Sequence, residues 1–375
     1  MVNATVKKEK QQQRQFQALV VGTHAGAGKT TLLDRWLTPN SEAKEVKPTL
    51  ALEYRFFKRG SKGGGKELAN VWELGSGTKL AKLIEAPLNE ATVRSSVVVI
   101  VADLSRPQDV FQGVSFWLGR IVERLRAVEK AIKAKAPQST ELDRLRENFS
   151  KRFGEKHPDN AAGKVRHTGM GVVIVATKMD DEAFKNKPPE LKKVMAKALR
   201  FLAHSHGAAL LYHSAKDDAT LKTFQGFMSH YLFPRTKNVS HKNVSPNDAL
   251  VIPAGADAFK ELTLPGVENV EDAEQWGKVF AEAFGASTLA PGEETEAPPL
   301  DPAGKFGEQS VDEALRLREE DLRLYREAQS RERADARRAA APPPGARAPA
   351  RKPSTRDAPK PSARDAPKPA AAPKA

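Results

Sequence analysis

Residues 16–31 read FQALVVGTHAGAGKTT, and the fold assignment starts from this segment. The apolar run at 16–22 predicts a strand, and residues 29–37 predict the helix that follows it. The glycine-rich turn between them has the signature of a phosphate loop, in which backbone N–H groups hold an anion at a helix N-terminus. We expect Lys29 to reach the outer phosphates of a nucleotide and the Thr30 hydroxyl to bind Mg²⁺. The expected phosphate-contacting residues are Gly26, Ala27, Gly28, Lys29, Thr30 and Thr31.

One position departs from the phosphate-loop pattern, which places a glycine five residues before Gly28. Thr23 occupies this position, and Gly22 lies one residue too early. Either the loop is one residue longer than usual, or Thr23 takes the tight corner. A loop that keeps its shape but holds water or a buried ion instead of a nucleotide is the structural alternative.

Strand-like and helix-like segments alternate along residues 16–233. The continuous runs VVVIVA at 97–102 and GVVIVA at 171–176 are typical of strands that are covered on both faces. Strands that alternate with helices predict an α/β fold with a mostly parallel sheet. The predicted strands lie at 16–22, 50–57, 67–74, 97–102, 171–176 and 208–213. The predicted helices lie at 29–37, 108–135, 140–153, 188–206 and 217–232.

Two loops that follow later strands indicate which base is bound. TKMD at 177–180 resembles the guanine-reading motif of small GTPases, with threonine where asparagine is usual. Asp180 is expected to accept hydrogen bonds from the N1–H and amino groups of guanine, which adenine does not offer. SAK at 214–216 resembles the matching loop, in which the Ala215 N–H meets the guanine oxygen. The expected base-contacting residues are Thr177, Lys178, Asp180, Ser214, Ala215 and Lys216.

The segments that small GTPases use for hydrolysis are poorly preserved. The Asp-x-x-Gly signature should follow the strand at 67–74, but the chain reads WELGSGT at 72–78. Aligning on Gly75 places Trp72 at the aspartate, and aligning on Glu73 places Ser76 at the glycine. Neither alignment supplies the glutamine that orients the attacking water. We therefore expect no fast GTP hydrolysis.

Three side chains near these segments are candidates for metal binding. Thr49, in KPTLALEY, occupies the place of the switch threonine that binds Mg²⁺ in small GTPases. Thr30 and Thr49 are therefore the predicted Mg²⁺ ligands. Asp103, at the end of VVVIVAD, is interpreted as a structural carboxylate rather than a metal ligand.

The composition excludes several other classes of function. The chain has no cysteine, which rules out disulfides and thiolate metal sites, and no spacing among its eight histidines predicts a metal site. The net charge of +14 comes mainly from residues 1–15 and 339–375, so we predict no nucleic-acid groove. No apolar run approaches the roughly 20 residues that a membrane-spanning helix needs. We expect an intracellular protein that does not insert into membranes.

The predicted organisation has four parts: a disordered N-terminus at 1–15, a GTPase-like domain at 16–257, a helical partner-binding extension at 258–338 and a disordered Pro-, Ala-, Lys- and Arg-rich tail at 339–375. In 272–284 apolar side chains recur at helical spacing. This stripe either packs back on the α/β domain or contacts a partner. A thinner apolar seam on the charged helix after 310 is expected to dock on another protein or to stay partly unfolded. The candidate partner-binding residues are, in the stripe, Trp276, Val279, Phe280 and Phe284 and, in the seam, Leu315, Leu322 and Tyr325.

Four phrases together resemble the light intermediate chains of cytoplasmic dynein 2, the retrograde motor of intraflagellar transport. They are KPTLALEY (47–54), WELGSGT (72–78), ADLSRPQDV (102–110) and LRFLAHSHGAALLYHSAKD (199–217). The resemblance covers about residues 16–284. It implies a P-loop NTPase fold of the small-GTPase-like (Ras-like) type. It also implies a non-catalytic subunit that binds and stabilises the dynein heavy chain, whose own ATPase produces the force.

The resemblance also bears on cofactor, partners and location. It implies that GTP or GDP with Mg²⁺, when bound, is structural rather than turned over; an empty loop is the alternative. The implied partners are the dynein 2 heavy chain, the other dynein 2 subunits and intraflagellar-transport particles, with microtubules contacted only indirectly. The implied locations are the cytoplasm, the cilium or flagellum, the basal body and the cytoskeleton. The competing hypothesis is a switching GTPase that recruits effectors in its GTP state. Such a switch needs a residue that senses the γ-phosphate, and WELGSGT does not offer the standard one.

Overall fold

The computed structural model describes residues 14–38, 47–60, 66–233, 236–289 and 309–339. The chain forms two compact units, Met1–Glu294 and Thr295–Ala375. The predicted disordered segments at 1–15 and 339–375 lie outside the described residues, apart from Arg14, Gln15 and Ala339. None of the described helices is both long and apolar enough to cross a membrane.

A seven-stranded sheet forms the centre of the first unit, in the order β2-β3-β1-β4-β5-β6-β7. Neighbours from β3 through β6 run parallel, whereas β2 and β7 are antiparallel edge strands. The strands are β1 Arg14–Gly22, β2 Leu52–Gly60, β3 Lys66–Leu74, β4 Ser96–Asp103, β5 Gly171–Thr177, β6 Ala209–Tyr212 and β7 Val251–Ile252. The mostly parallel α/β fold is therefore confirmed. Because parallel strands end at the same edge, the loops after β1, β3, β4, β5 and β6 converge there.

Nine α-helices are described, and eight of them belong to the first unit. These are α1 Lys29–Leu37, α2 Pro107–Lys135, α3 Glu141–Gly154, α4 Pro158–Ala161, α5 Glu182–Lys185, α6 Pro189–Ser205, α7 Asp218–Leu232 and α8 Ala273–Phe284; the ninth is α9 Gln309–Ala339. Short 3₁₀ helices span Gly77–Glu85, Val93–Ser95 and Phe259–Glu261. The predicted extra helix at 140–153 is confirmed as α3.

The two apolar runs form the buried centre of the sheet. Every residue of β4 and β5 is buried, as their continuous β-branched sequences predict. Successive side chains face opposite ways: Val98 and Ile100 pack in the layer with α2, α6 and α8, and Val97 and Val99 pack in the layer with α7. Helices on both faces of the sheet thus enclose two apolar layers.

The apolar stripe of α8 lies inside this core and is not a free partner surface. The side chain of Trp276 is 1% exposed and that of Phe280 is 3% exposed. Trp276 stacks on Phe201 with ring centroids 5.0 Å apart, and Phe280 stacks on Phe111 at 5.4 Å. Val279 and Phe284 are half-buried against the same layer. The assignment of Trp276 and Phe280 to partner binding is therefore corrected, because these side chains are covered by α2 and α6. A partner contact at the half-buried Val279 and Phe284 stays a prediction.

The position of α8 also changes the domain organisation. The division of the chain falls between Glu294 and Thr295 rather than at 257/258. The segment that leads from β7 into α8 adds Leu262, Leu264 and Val267 to the core. The helical extension beyond the first unit is therefore α9.

Helix α9 is a single charged helix whose described side chains are all exposed. Leu322 is 49% exposed and Tyr325 is 64% exposed. Leu315 lies on the helix, but its side chain falls outside the described part of the structure. The role of Leu322 and Tyr325 in partner binding stays a prediction.

Candidate nucleotide site

The loop between β1 and α1 has the compact shape that a phosphate loop needs. Gly28 has a φ of 86°, a left-handed conformation that favours glycine. A Cβ added to Gly22 would lie 2.9 Å from the Lys29 side chain, so the chain and this lysine pass too close for a larger residue. The indole N–H of Trp117 donates to the Gly22 carbonyl at 2.8 Å and holds the end of β1.

Thr23 takes the corner where the standard pattern has glycine. Its backbone N–H donates to the Val101 carbonyl at 3.0 Å, and its side chain is 1% exposed. Thr23 is not among the described residues with a positive φ. The corner is therefore an extension of sheet pairing towards β4, and threonine fits it without a left-handed backbone.

Lys29 lies across the mouth of the loop. It is 2% exposed, and its ammonium donates to the His24 and Ala25 carbonyls at 3.3 Å each. Burial lowers the pKa of Lys29, and the nearby charge of Glu73 opposes this shift only partly. The two bonds are long for a buried cation. An anion bound at the loop would therefore stabilise the charged form of Lys29.

Three oxygen-bearing side chains meet beside Lys29. The Thr30 hydroxyl donates to Glu73 Oε1 at 2.6 Å. Burial raises the pKa of Glu73, against the Thr30 hydrogen bond and the Lys29 charge. The Thr49 hydroxyl donates to the neighbouring Glu53 at 3.1 Å. Glu73 is 1% exposed, and its Oε2 has no hydrogen-bond partner among the described residues. Of the two alignments of WELGSGT, the structure thus favours the one that uses Glu73 as the acidic residue.

These groups fit a magnesium ion. Mg²⁺ prefers oxygen ligands, and the two hydroxyls and one buried carboxylate are of that type. The unpartnered Glu73 Oε2 is an acceptor that a cation would satisfy. Thr30, Thr49 and Glu73 are therefore the residues that would hold the metal, with Lys29 on the phosphate side.

The segment after β3 is packed against the segment before β2. The Gly75 N–H donates to the Ala51 carbonyl at 2.6 Å, and the Ser76 hydroxyl donates to the Leu50 carbonyl at 2.9 Å. A Cβ at Gly75 would lie 2.1 Å from the Thr49 carbonyl oxygen, so only glycine permits this approach. The two segments that correspond to the switches of small GTPases are thus joined directly to each other.

Asp103 anchors loops rather than standing free to bind a metal. Its buried carboxylate contacts Lys178 Nζ at 2.5 Å and His24 Nε2 at 3.1 Å and accepts from the Ser105 N–H at 2.8 Å. Burial works against ionisation, but the hydrogen bonds from His24, Lys178 and Ser105 outweigh it and hold the pKa of Asp103 well below its usual range. This geometry fits the structural interpretation of Asp103.

A cleft of about 270 Å³ lies where the base of a nucleotide is expected. Thr177, which replaces the usual asparagine, donates from its hydroxyl to the Ala27 carbonyl at 2.7 Å and so ties the base loop to the phosphate loop. Asp180 pairs with Lys216 at 2.9 Å. Burial raises the pKa of Asp180, but hydrogen bonds from Lys216 and Ser214 bring it below its ordinary value. The cleft is lined by Gly28, Thr31, Leu32, Thr177, Lys178, Asp180, Asp181, His213, Ala215 and Lys216.

The sequence relationships agree with this architecture. The family model described as dynein light intermediate chain matches residues 7–157 and 157–275. This chain belongs to the dynein light intermediate chain family. Cytoplasmic dynein 2 light intermediate chain 1 of Danio rerio is 30% identical over 323 residues, which cover 83% of this chain and 85% of the relative. The same protein of Homo sapiens is 31% identical over 322 residues, 83% of this chain and 87% of the relative.

More distant members show the same fold. Cytoplasmic dynein 1 light intermediate chain 1 of Mus musculus is 23% identical over 284 residues, 66% of this chain and 53% of the relative. The crystal structure of a dynein light intermediate chain's conserved domain superposes with a TM-score of 0.52 at 13% identity, covering 75% of this chain and 95% of that one. As a member of this family, the chain has a P-loop, GTPase-like fold. The family match ends at residue 275, so α9 lies beyond it.

Sequence reasoning found most of the residues at this edge, left Glu73 undecided and missed His213. The role of Glu73 was left open between two alignments, and its position at a strand end was the available signal. His213 was not singled out, although it directly precedes the SAK loop. It lines the cleft, its Nδ1 lies 2.9 Å from the Thr220 hydroxyl, and its Nε2 has no hydrogen-bond partner in the described part of the chain.

Proposed function

We propose that this light intermediate chain is a non-catalytic subunit of a cytoplasmic dynein 2 motor complex. It binds and stabilises the dynein heavy chain and serves retrograde intraflagellar transport and the assembly and maintenance of cilia. It acts in the cytoplasm, at the basal body and in the cilium, beside intraflagellar-transport particles, and reaches microtubules only through the motor. Membership of the family and the similarity to relatives named as dynein 2 subunits support this function.

The observation that carries the non-catalytic assignment is the arrangement after β3. Glu73 lies where a nucleotide-bound Mg²⁺ is expected. The residues that follow it are Leu74, Gly75 and Ser76, and none of them can orient an attacking water as the glutamine of a small GTPase does. The Gly75 backbone is also packed on Thr49. The fold has thus kept the parts that hold a phosphate and lacks the part that activates water.

Bound GTP or GDP would act as a structural ligand in this subunit. Lys29 and the backbone of Gly26–Lys29 would contact phosphate, Thr30, Thr49 and Glu73 would hold Mg²⁺, and Asp180 would read guanine. Mg²⁺ supplies positive charge that offsets the charge of the phosphates. A ligand that binds only the folded chain stabilises it by RT ln(1 + L/Kd), where L is the ligand concentration, so the effect grows with the logarithm of that concentration.

Two exposed surfaces are proposed for the contact with the heavy chain, since α8 is buried. The first is the aromatic edge, defined as Leu50, Tyr54, Phe56 and Trp72. Leu50 is 82% exposed and Phe56 is 56% exposed, and Tyr54 packs on Trp72 with ring centroids 4.8 Å apart. Exposed aromatic clusters of this kind mark protein interfaces. The second surface is the α9 seam of Leu322 and Tyr325.

The test is affinity purification of the tagged full chain from cilia-bearing cells, with the native mass and composition of the assembly determined. We expect a megadalton-scale assembly that contains a dynein heavy chain. Lys29→Ala, if it folds, should keep this assembly, because heavy-chain binding by a scaffold subunit does not depend on a GTP–GDP switch; the exposed Lys260→Ala is the matched control. A free chain whose partners differ between GTP and GDP would contradict the subunit function and support the switching GTPase.

A further inference from the structure

We propose that His157, Asp159 and His204 form a binding site for a divalent transition metal, with Zn²⁺ as the intracellular candidate. His157 and Asp159 flank the start of α4, and His204 lies in the last turn of α6. One ligand atom from each lies within 4.8 Å of the others. Sequence spacing among the histidines did not predict this site, because 45 residues separate Asp159 from His204.

The distances between the ligand atoms suit a small tetrahedral ion. Asp159 Oδ2 lies 2.9 Å from His204 Nε2 and 4.0 Å from His157 Nδ1. Zinc bonds of about 2.0–2.1 Å place tetrahedral ligands roughly 3.3 Å apart. The two observed separations lie on either side of that value, and all three ligand atoms lie within 4.8 Å of one another, so movements of about 1–1.5 Å would complete the coordination.

The protonation of His157 is already the one that a metal requires. Its Nε2 lies 2.7 Å from the Asp257 carbonyl oxygen, which only accepts, so Nε2 carries the proton. Nδ1 then presents a lone pair, and its partner is the Asp159 N–H at 3.3 Å. A ring nitrogen that donates to a carbonyl while the other nitrogen binds the metal is the usual arrangement around protein-bound zinc.

Asp159 and His204 are suited to the same role. Asp159 Oδ2 accepts from the Phe259 N–H at 2.9 Å and lies 2.9 Å from His204 Nε2, so the carboxylate is held beside the imidazole. Coordination at His204 Nε2 moves its proton to Nδ1. The 2.9 Å contact of His204 Nε2 with Asp159 Oδ2 would give way to the metal bond, and the proton on Nδ1, which has no partner among the described residues, would need a water as its acceptor.

The surroundings hold these groups in place and leave one side open. Arg200 donates to both oxygens of Asp257, at 2.7 and 2.6 Å, and thereby fixes the loop whose carbonyl orients His157. His157 and Asp159 side chains are 14% and 13% exposed, which gives an ion access and leaves room for a water as fourth ligand. Two imidazoles with one carboxylate favour Zn²⁺ over Mg²⁺ or Ca²⁺. The ion would join α4 to α6.

The experiment uses the full chain after treatment with a chelator and removal of the chelator, in buffer with millimolar MgCl₂ so that Mg²⁺ competes at the nucleotide site. ZnCl₂ is titrated calorimetrically into the unaltered chain, His157→Ala, Asp159→Asn and His167→Ala. His167 is the matched control, since it packs on the same Phe153 ring but bonds to Asn160. We expect one equivalent to bind the unaltered chain and His167→Ala, and at least about tenfold weaker binding to the other two variants.

Absence of saturable Zn²⁺ binding to the unaltered chain, or equal affinity for all four proteins, would overturn the proposal. If the ligand variants fail to fold, Co²⁺ added to the unaltered chain gives the answer. The visible absorption of four-coordinate Co²⁺ supports the site, and the weak spectrum of the hydrated ion overturns it.

Discussion

The Thr30 hydroxyl and the Glu73 carboxylate lie 2.6 Å apart, although 43 residues separate them in the chain. This contact joins the start of α1 to the end of β3. It places an acidic group where a nucleotide-bound Mg²⁺ is expected, in a segment that lacks the usual aspartate.

Glu73→Gln is expected to weaken Mg²⁺-dependent nucleotide binding. Glutamine keeps the size of the side chain but removes the negative charge, so GDP affinity in MgCl₂ should fall about tenfold, or about 1.4 kcal/mol. Titration calorimetry with GDP, in MgCl₂ and in EDTA, measures this change. Glu53→Gln is the control, because Glu53 is a nearby carboxylate that accepts from Thr49 but is partly exposed. If both variants keep the Mg²⁺ dependence of the unaltered chain, Glu73 is not part of the metal site.

Trp276→Ala is expected to destabilise the first unit rather than to disrupt a partner contact. The variant removes a buried indole, its stacking on Phe201 and its N–H bond to the Val270 carbonyl at 2.9 Å. Such truncations cost about 3–5 kcal/mol of the free energy of unfolding. Urea unfolding followed by tryptophan fluorescence and circular dichroism measures the loss, and the exposed Glu282→Ala on the same helix should change it by less than about 0.5 kcal/mol. Unchanged stability with lost heavy-chain binding would restore the original assignment.

Stability should fall on mild acidification, and His213 should carry part of the effect. Burial, with the nearby charge of Arg35, lowers the pKa of His213 to about 4, whereas an unfolded histidine titrates near about 6.5. Between these values the unfolded chain binds a proton that the folded chain does not. The stabilisation is therefore complete above about pH 6.5 and is lost as the pH falls towards 4, by about 3 kcal/mol at most.

Urea unfolding from pH 7 to pH 4 measures this slope in the unaltered chain and in His213→Asn. Asparagine keeps a donor for Thr220 but does not titrate, so the slope should decrease. Burial also lowers the pKa of His206 and His230, so part of the slope remains. The exposed His241→Asn is the control and should leave the slope unchanged. An identical slope for all three proteins contradicts the prediction.

Phe56→Glu is expected to weaken heavy-chain binding at little cost in stability. Phe56 is 56% exposed on the edge strand β2, so a charge there meets water in the free chain but would be buried in an interface. Co-purification of the heavy chain should fall at least about tenfold, with an unfolding midpoint close to that of the unaltered chain. Val244→Glu is the matched control, since Val244 is 43% exposed and lies near β7 at the opposite edge. Equal heavy-chain recovery for both variants would exclude the aromatic edge.

Leu322→Glu tests the α9 seam against the other side of the same helix. Leu324 is two residues on, about 200° around the helix, and has a similar exposure, 54% against 49%. Leu322→Glu should reduce partner recovery, and Leu324→Glu should not. Quantitative mass spectrometry of the purified complexes measures both. An equal loss of partner recovery in both variants would mean that any added charge on the helix weakens binding, and that the Leu322 face is not a specific contact surface.

Local patterns in the sequence determined the elements and the loops between them. VVVIVA and GVVIVA became the buried strands β4 and β5, because continuous β-branched runs suit strands that are covered on both faces. The phosphate loop, TKMD and SAK each follow the end of a strand. Because these strands are parallel, the three loops lie at the same edge of the sheet. The family and its fold followed from the same residues.

Only the tertiary structure decided which distant side chains meet and which surfaces stay open. The apolar stripe of α8 has the same helical spacing whether it faces the core or a partner. The residues that cover it are distant in the chain: Phe111 lies 169 residues before Phe280, and Phe201 lies 75 residues before Trp276. The Thr30–Glu73 contact and the meeting of His157, Asp159 and His204 likewise depend on strand order and helix packing. Periodicity describes one element at a time, whereas these contacts depend on how separate elements pack together.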